Sequence, residues 1–407
     1  MAAMKTILAL TLALAAATAS AKSFLIERID VNAAKRIPAA AVLAETRLDA
    51  GKTYTEEQLE QALNRVRRLP FVLSASADLK PGGSVDARVL RINIEEVSNF
   101  NWDLQTAELV RKHGGGGGPF RADAGYRFFP GAHGTLDADL TGSNEAVVGS
   151  NSLRQATLAY NGYGLFGTRV YGSVAASTIF RTSTGHDFNP SALLGIPLTR
   201  TQSIEATVSR TTSRLARSYQ GIADPVESSS RVTNAGLAWL LQTTDDPYFA
   251  RNGFDAAFGP SWERQKLDLP FVLTFPAPPH VVPGKQDQRH FSLNASAAKY
   301  WPLRTASAAW GRFDATTTRI TGVANGVPFP AARQDLGDVL FGLAHDVNRE
   351  MGESTQSRWR FEMGIGYHLD RVEQRAVSFN SGPEAEIGTA YRNRFGVFHM
   401  TFSFVAR

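Results

Sequence analysis

The side chains that could carry out chemistry in this sequence form no recognisable catalytic pattern. The 407 residues contain no cysteine, which excludes a thiol nucleophile, a disulfide framework and a thiolate-bound metal. No Gly-x-Ser-x-Gly, His-Glu-x-x-His or P-loop motif is present. The histidines have no ligand spacing, and outside a glycine-rich segment they are His133, His186, His280, His290, His345, His368 and His399. We therefore expect no enzymatic activity, no cofactor and no metal site.

Arg360 and Glu362 are the charged residues whose positions are most informative. They alternate with large apolar residues along the segment 359–369. Alternation with a period of two predicts a strand that has one apolar and one polar face. If both charges face water, their pairing contributes little to stability. The alternative is that one of them binds another segment of the chain.

The same alternation recurs through most of the chain after residue 119. It is clearest in the segments 136–141, 204–209, 291–297 and 398–404. A soluble sandwich and a transmembrane barrel both produce this pattern, but aromatic residues near the strand ends favour the barrel. These aromatic residues are Trp301, Trp359, Tyr367 and Tyr391. We predict an antiparallel transmembrane β-barrel over 119–407 with an even number of strands, about 16, of which roughly 12–14 can be discerned.

The residues before the barrel divide into three segments. Residues 1–21 have a basic start, a short apolar run and a small-residue cleavage site, which is typical of a secretory signal peptide. Residues 22–97 predict a small α/β domain of order β-α-α-β-β, whose second helix begins with the capping-box pair Thr55 and Gln58. Residues 98–118 include five consecutive glycines and are predicted to be a linker.

Two motifs in residues 22–97 resemble those of POTRA domains, the periplasmic modules that precede the barrel in outer-membrane assembly proteins. One is Leu48-x-x-Gly51-x-x-Tyr54, which leads into the second helix. The other is Leu69-Pro70-Phe71-Val72, which leads into the following strand. Together with the order of elements, the motifs identify the segment as a POTRA-like domain.

The barrel region resembles the surface-antigen (BamA/TamA) superfamily at two places. The segment that begins with Asp245 and Asp246 and reaches Gly253 is similar to a conserved turn of that family, and Asp and Gly favour turn conformations. The family also has a lumen loop with an Arg-Gly-aromatic motif, whose arginine pairs with an acidic residue. Here Phe341-Gly342-Leu343 replaces the motif, so the arginine is missing. Glu362 is the implied acidic partner, and Arg360 could pair with it instead.

The resemblance implies a diverged member of this superfamily in the bacterial outer membrane, with the POTRA-like domain in the periplasm. The implied function is to assist the insertion or translocation of unfolded client proteins, which the POTRA-like domain would bind by β-augmentation. The barrel would open between its first and last strands, expected at 120–129 and 397–405. Outer-membrane lipid and accessory periplasmic or lipoprotein partners are also implied, whereas the net charge of +5 does not call for nucleic acid. The alternative is a passive pore or structural barrel that has lost assembly activity.

Overall fold

The structure is a computed structural model of the whole chain, and it describes residues 22–33, 36–109, 120–131, 133–143, 153–181, 185–217, 225–273, 280–304, 306–350, 356–373, 377–379, 381–393 and 395–405. The predicted signal peptide, residues 1–21, and the glycine run at 114–118 lie outside these residues. Within the described part of the chain, no helix has both the length and the apolar character needed to cross a membrane.

The N-terminal domain is a four-stranded sheet covered by two helices. Its elements are β1 (Ser23–Asn32), α1 (Ala39–Thr46), β2 (Lys52–Thr55), α2 (Glu56–Arg67), β3 (Val72–Pro81) and β4 (Ala87–Glu96). The strands lie in the order β2-β1-β4-β3, so β2 and β3 are the two edges. The predicted order lacked β2, because four residues directly before a capping box are too few to show an alternating pattern.

Helix α2 forms where the sequence predicts it. The Thr55 hydroxyl accepts the N–H of Gln58, and the Gln58 side chain accepts the N–H of Thr55, which completes the capping box. Its apolar stripe includes Leu59, Leu63 and Val66, which are buried in the core of the domain. Burial of this stripe against the sheet stabilises a helix that is too short to be stable alone.

The rest of the described chain forms a closed β-barrel of 15 strands. Its strands are β5 (Phe100–Leu109), β6 (Phe120–Gly131), β7 (Gly134–Ser143), β8 (Leu153–Leu165), β9 (Val170–Arg181), β10 (Gly185–Pro197), β11 (Gln202–Arg217), β12 (Val226–Gln242), β13 (Gly253–Asp268), β16 (Lys285–Arg304), β17 (Ser307–Ala324), β18 (Val327–Glu350), β19 (Gln356–Glu373), β21 (Gly382–Asn393) and β22 (Gly396–Val405). Three short strands lie outside the ring, and they are β14 (Phe271–Leu273), β15 (His280–Val282) and β20 (Val377–Phe379).

The expectation of an all-antiparallel barrel of about 16 strands is wrong. Consecutive strands of the ring pair antiparallel, and with an odd number of strands the first and last must run in the same direction. The closing pair, β5 with β22, is accordingly parallel. The first strand is β5, which falls inside the segment 98–118 that was predicted to be a linker, and the expected first strand at 120–129 is the second. The glycine run that follows β5 concealed it.

The alternation of the sequence becomes the two faces of the barrel wall. In β19, Phe361, Met363 and Ile365 point outward and are 52–72% exposed, whereas Arg360 points into the lumen and is 2% exposed. An outer surface of this kind suits hydrocarbon, and the polar and small residues of the other face suit a lumen. The lumen also contains a small apolar cluster in which Trp310, Leu340 and Ala344 are buried.

Candidate functional site at the barrel mouth

The N-terminal domain packs against one end of the barrel, here called the proximal end; the opposite end is the distal end. Part of the contact is made by two arginines of the domain and the turn between β10 and β11. The Arg47 guanidinium donates to the carbonyls of Thr199, at 2.5 Å, and Gln202, at 3.1 Å. The Arg65 guanidinium donates to the Arg200 carbonyl in that turn. These charged donors bind the carbonyls of Thr199 and Arg200, and Arg47 adds to the backbone hydrogen bonds that the Gln202 carbonyl already accepts within the turn.

The connection between α2 and β3 is the part of the domain that enters the mouth. Phe71, only 1% exposed, makes edge-to-face contacts with Phe129 of β6 and Tyr163 of β8, at ring-centroid distances of 5.8 and 5.9 Å. Arg127 of β6 donates to the Pro70 carbonyl at 2.7 Å, and Arg392 of β21 donates to the Val72 carbonyl at 3.0 Å. The motif that resembles a POTRA strand entry therefore also docks the domain onto the barrel.

Burial at this interface changes the acidity of the charged groups on α1 and α2. Burial, together with the nearby charge of Arg47, lowers the pKa of the Arg65 guanidinium to about 9. Burial likewise raises the pKa of the Glu45 carboxyl, against the opposing effect of Arg47. Hydrogen bonds from Lys52 and from Arg169, in the turn between β8 and β9, hold the pKa of Asp49 below its usual range.

The predicted turn motif forms a compact segment, Asp245 to Asn252, at the same end of the barrel. One Asp245 oxygen accepts the N–H groups of Arg251 and Asn252, at 2.9 and 3.2 Å. One Asp246 oxygen accepts those of Tyr248 and Phe249, at 2.8 and 2.9 Å. This segment, the plug turn, therefore satisfies its own backbone through its two carboxylates, as Asp does in tight turns.

Gly253 ends the plug turn in a conformation that only glycine accommodates. Its φ of +114° is one that L side chains rarely adopt, and a Cβ atom there would lie 2.5 Å from the Thr243 carbonyl oxygen and from the Thr244 Cα. The backbone of the plug turn thus explains the aspartates at the start of the motif and the glycine at its end.

Three lumen arginines hold the plug turn in place. Arg358 of β19 donates to the second Asp246 oxygen at 2.6 Å. The ring of Phe249, fully buried, is faced by the guanidiniums of Arg358 and Arg360 at 5.0 and 5.3 Å from its centroid. Arg392 lies over the Tyr248 ring at 4.3 Å. Cation–π contacts are strongest when the groups are desolvated, as Phe249 and Arg360 are.

The predicted partner of Arg360 is only its secondary partner. Arg360 makes a bidentate ion pair with Asp346 of β18, at 2.6 and 3.1 Å, and both side chains are 2% exposed. Glu362 lies at 3.4 Å from the same guanidinium. Sequence reasoning missed Asp346 because the pairing depends on the register of β18 against β19, in which Asp346 lies opposite Arg360. A segment-by-segment pattern does not report such a register.

The predicted lumen loop is a strand. Phe341, Gly342 and Leu343 lie within β18, where Phe341 and Leu343 point outward and are 60% and 51% exposed. Gly342 points into the lumen under Trp310, whose ring atoms would lie 2.4 Å from a Cβ at that position. The strands β17 and β18 are joined by only Asn325 and Gly326, both with positive φ, as a two-residue hairpin turn requires.

Within the described part of the chain, one group of side chains has the spacing of metal ligands. Asp338, His368 and Glu384 lie on β18, β19 and β21, and their candidate donor atoms are within 4.8 Å of one another. His368 Nδ1 and Asp338 Oδ1 are 2.6 Å apart and form a hydrogen bond or ion pair. One histidine with two carboxylates could hold a divalent transition metal. No sequence pattern indicates this group, because its members come from three strands.

Strand β5, which forms the closing seam with β22, has the shortest pairings of the long barrel strands, counted over the described residues. Strand β5 pairs with β22 over eight residue pairs, from Trp102 opposite Gly396 to Leu109 opposite Ser403, and with β6 over seven. The pairing of β18 with β19 covers 18 residue pairs. Parallel ladders are also slightly less stable per residue than antiparallel ones. Among the described residues, β5 therefore has the fewest cross-strand residue pairs of the long strands in the ring.

Comparisons with solved structures return matches that cover most of this chain at low sequence identity. No protein-family model and no curated protein matches the sequence. The chain is similar to BamA from Haemophilus ducreyi lacking POTRA domains 1–3, with 10% identity, a TM-score of 0.40, and coverage of 90% of this chain and 80% of that chain. It is also similar to CdiB from Acinetobacter baumannii, with 10% identity, a TM-score of 0.43, and coverage of 91% and 70%. The copper transporter OprC matches with 8% identity, a TM-score of 0.29, and coverage of 89% and 68%.

Proposed function

We propose that this protein is an outer-membrane barrel that assists the insertion or translocation of client proteins, and that its N-terminal domain is a POTRA-type module in the periplasm. The observation that carries the proposal is the short parallel seam between β5 and β22. Opening there breaks fewer hydrogen bonds than opening at β18 and β19 and exposes two strand edges. A client strand would pair with those edges.

The N-terminal domain offers a second place for a client strand. Strand β3 is an edge of its sheet and pairs on one side only, with β4. The Arg67 guanidinium covers the Ala75 carbonyl near the start of β3, at 2.9 and 3.1 Å. The residues of β3 beyond Ala75 are the proposed site of β-augmentation, in which main-chain hydrogen bonds supply the affinity.

The proposed function assigns the chain no catalytic step. Exchange of strand pairings needs no nucleophile, metal or cofactor, because the hydrogen bonds broken and formed are of one kind. The proposed partners are unfolded outer-membrane or secreted proteins, outer-membrane lipid, and accessory periplasmic or lipoprotein subunits. Outward-facing apolar residues such as Phe361 and Ile365 support placement in a membrane.

A disulfide across the seam tests the proposal, and the chain offers a clean background because it has no cysteine. Leu104 and Phe398 are opposite one another across the seam. The matched control shares one cysteine, because Phe398 is also opposite Tyr391 of β21. Cells that depend on L104C/F398C should lose outer-membrane proteins under oxidising conditions and recover on reduction. Cells that depend on Y391C/F398C should be unaffected. Normal outer-membrane composition with the seam fully cross-linked would refute the proposal.

A passive pore or structural barrel is the second candidate. The observation that favours it is the position of Phe341-Gly342-Leu343 within a strand, which leaves the family's arginine loop without a counterpart at that position. This candidate predicts ion conductance in planar bilayers together with unchanged client folding when the protein is depleted. A fall in outer-membrane protein levels on depletion would exclude it.

A further inference from the structure

The outer surface of strands β11, β12, β13 and β16 changes from apolar to cationic in a single step toward the distal end. The last apolar row is made of cross-strand neighbours, and its members are Val208, Ala235, Trp262 and Phe291. The rows beyond it, on the same outward face, contain exposed basic side chains, and these are Arg210, Arg214, Arg231, Lys266, Lys285 and Arg289.

Four of these cations share one groove. Arg214, Arg231, Lys266 and Lys285 line an open depression of about 470 Å³. The hydroxyl residues Thr212 and Ser229 also line it. We call this groove the distal cationic groove. A phosphate group is best recognised by several such donors converging from neighbouring strands.

Internal ion pairs do not neutralise the basic side chains of the groove. The strong pair in this region, Arg264 with Asp287 at 2.6 Å, neutralises itself. Asp268 also lies within the groove, where it offsets one of the four cations. The groove therefore retains a net positive charge, which calls for an anionic partner.

The position of the groove matches the depth of a membrane surface. On β13 the outward-facing residues run from Phe254, beside the proximal turn, to Trp262, and on β16 they run from Trp301 to Phe291. A transmembrane strand needs about 9–11 residues, so each segment crosses the hydrocarbon once and ends with an aromatic residue at its distal boundary. The cations come directly after this boundary, where lipid headgroups lie.

Strands β7, β9 and β10, which precede β11 in the ring, have no comparable cation cluster in their described residues. There the exposed outward residues stay apolar up to the distal part of the strands, as shown by Leu140, Phe180 and Phe188. The cationic rows are therefore a local feature of one wall rather than a general consequence of barrel construction.

We propose that the distal cationic groove binds the phosphate groups of a phosphorylated glycolipid in the outer leaflet. This inference rests on the membrane placement in the proposed function, with the N-terminal domain in the periplasm, but not on client assembly. Guanidinium and ammonium groups bind the phosphates, while the acyl chains lie against the apolar row below. A free phosphate ion would satisfy the cations but would leave the adjoining apolar row without an occupant.

Native mass spectrometry of the full chain in detergent, titrated with bis-phosphorylated lipid A, tests the proposal. We expect a retained lipid adduct, and about tenfold weaker binding for R231Q/K266Q, which removes two facing charges at the centre of the groove. The matched control is K22Q/R91Q, which removes the same charge from exposed positions on the N-terminal domain. The control should bind as the unaltered protein does, and R231K/K266R should retain binding.

Three results would overturn the proposal. One is equal binding by R231Q/K266Q and the unaltered protein. The second is equal binding of lipid A and a phosphate-free glycolipid of the same acyl content. The third is displacement of lipid A by millimolar inorganic phosphate, which would make the groove a simple anion site. A heat-modifiability gel separates these results from failure of the proposed function, because an unfolded or non-membrane chain would show no folded, faster-migrating barrel band.

Discussion

The two ends of the barrel use charged side chains in opposite ways. At the proximal end, arginines such as Arg360 and Arg65 are buried and make short contacts with a carboxylate or with backbone carbonyls. At the distal end, Arg231 and Lys266 are exposed and make no ion pair among the described residues. A desolvated charge without its partner is costly, whereas an exposed one is nearly free to change partners. Proximal charges therefore hold the structure together, and distal charges remain available for binding.

The largest predicted effect comes from breaking the buried ion pair at the proximal end. Arg360→Ala leaves the Asp346 carboxylate buried without its bidentate partner, and we expect the free energy of unfolding in lipid vesicles to fall by about 4 kcal/mol. The distal control Arg231→Ala should change it by less than about 0.5 kcal/mol, because the side chain is exposed. The double variant D346L/R360M should regain most of the loss. Equal stability of the two single variants would contradict the conclusion that proximal charges stabilise the fold and distal charges do not.

Removing the buried ring of the plug turn should have the next largest effect. Phe249→Ala removes the side chain that Arg358 and Arg360 face, and we expect a loss of about 3 kcal/mol. Because the plug turn lies at the proximal mouth, conductance in planar bilayers should also rise. Tyr248→Phe keeps the ring over Arg392 and is the control that should leave both measurements unchanged. Unchanged conductance for Phe249→Ala would show that the plug turn does not obstruct the lumen.

Two glycines with positive φ allow the ends to be compared at the level of the backbone. Gly253→Ala, at the proximal end, adds a clash with the Thr243 carbonyl to the strain of its φ, and we expect a loss of about 2 kcal/mol. Gly326→Ala, in the distal hairpin, has φ of +84° and no atom within 4 Å of the new Cβ, so we expect about 1 kcal/mol. Urea unfolding of the two variants measures the difference between their free energies of unfolding. A larger loss for Gly326→Ala would reverse the predicted order.

The smallest predicted effect is a pH dependence of the docking of the N-terminal domain. The pKa of Glu45 is raised above 4.5 in the docked state, so the docked protein binds a proton that the undocked protein releases. Docking should therefore weaken as pH rises through the raised pKa and strengthen as pH falls toward 4.5. Hydrogen exchange at the backbone amides of Phe71 and Val72, followed as a function of pH, measures the strength of docking. Glu45→Gln should remove the slope, and a slope of opposite sign would contradict the assignment.

The elements predicted best are those whose pattern is local. The capping box at Thr55 and the alternating faces of 359–369 are confirmed, because each depends on residues a few positions apart. Strand β5 was not predicted because a glycine run follows it. Phe341-Gly342-Leu343 was assigned to a loop because the short motif was compared with the family without regard to the alternating strand that surrounds it. Asp346 and the triad containing His368 could not be predicted, since cross-strand neighbours depend on register.

The odd number of strands has a consequence for what the barrel can accept. Because β5 and β22 run in the same direction, a single extra strand placed between them, antiparallel to both, would complete a ring of alternating directions. A hairpin of two strands would instead leave one parallel pair, wherever it was inserted. By parity alone, an odd number of guest strands would make every pairing of the ring antiparallel, so the parallel closure defines the direction in which a single guest strand must run.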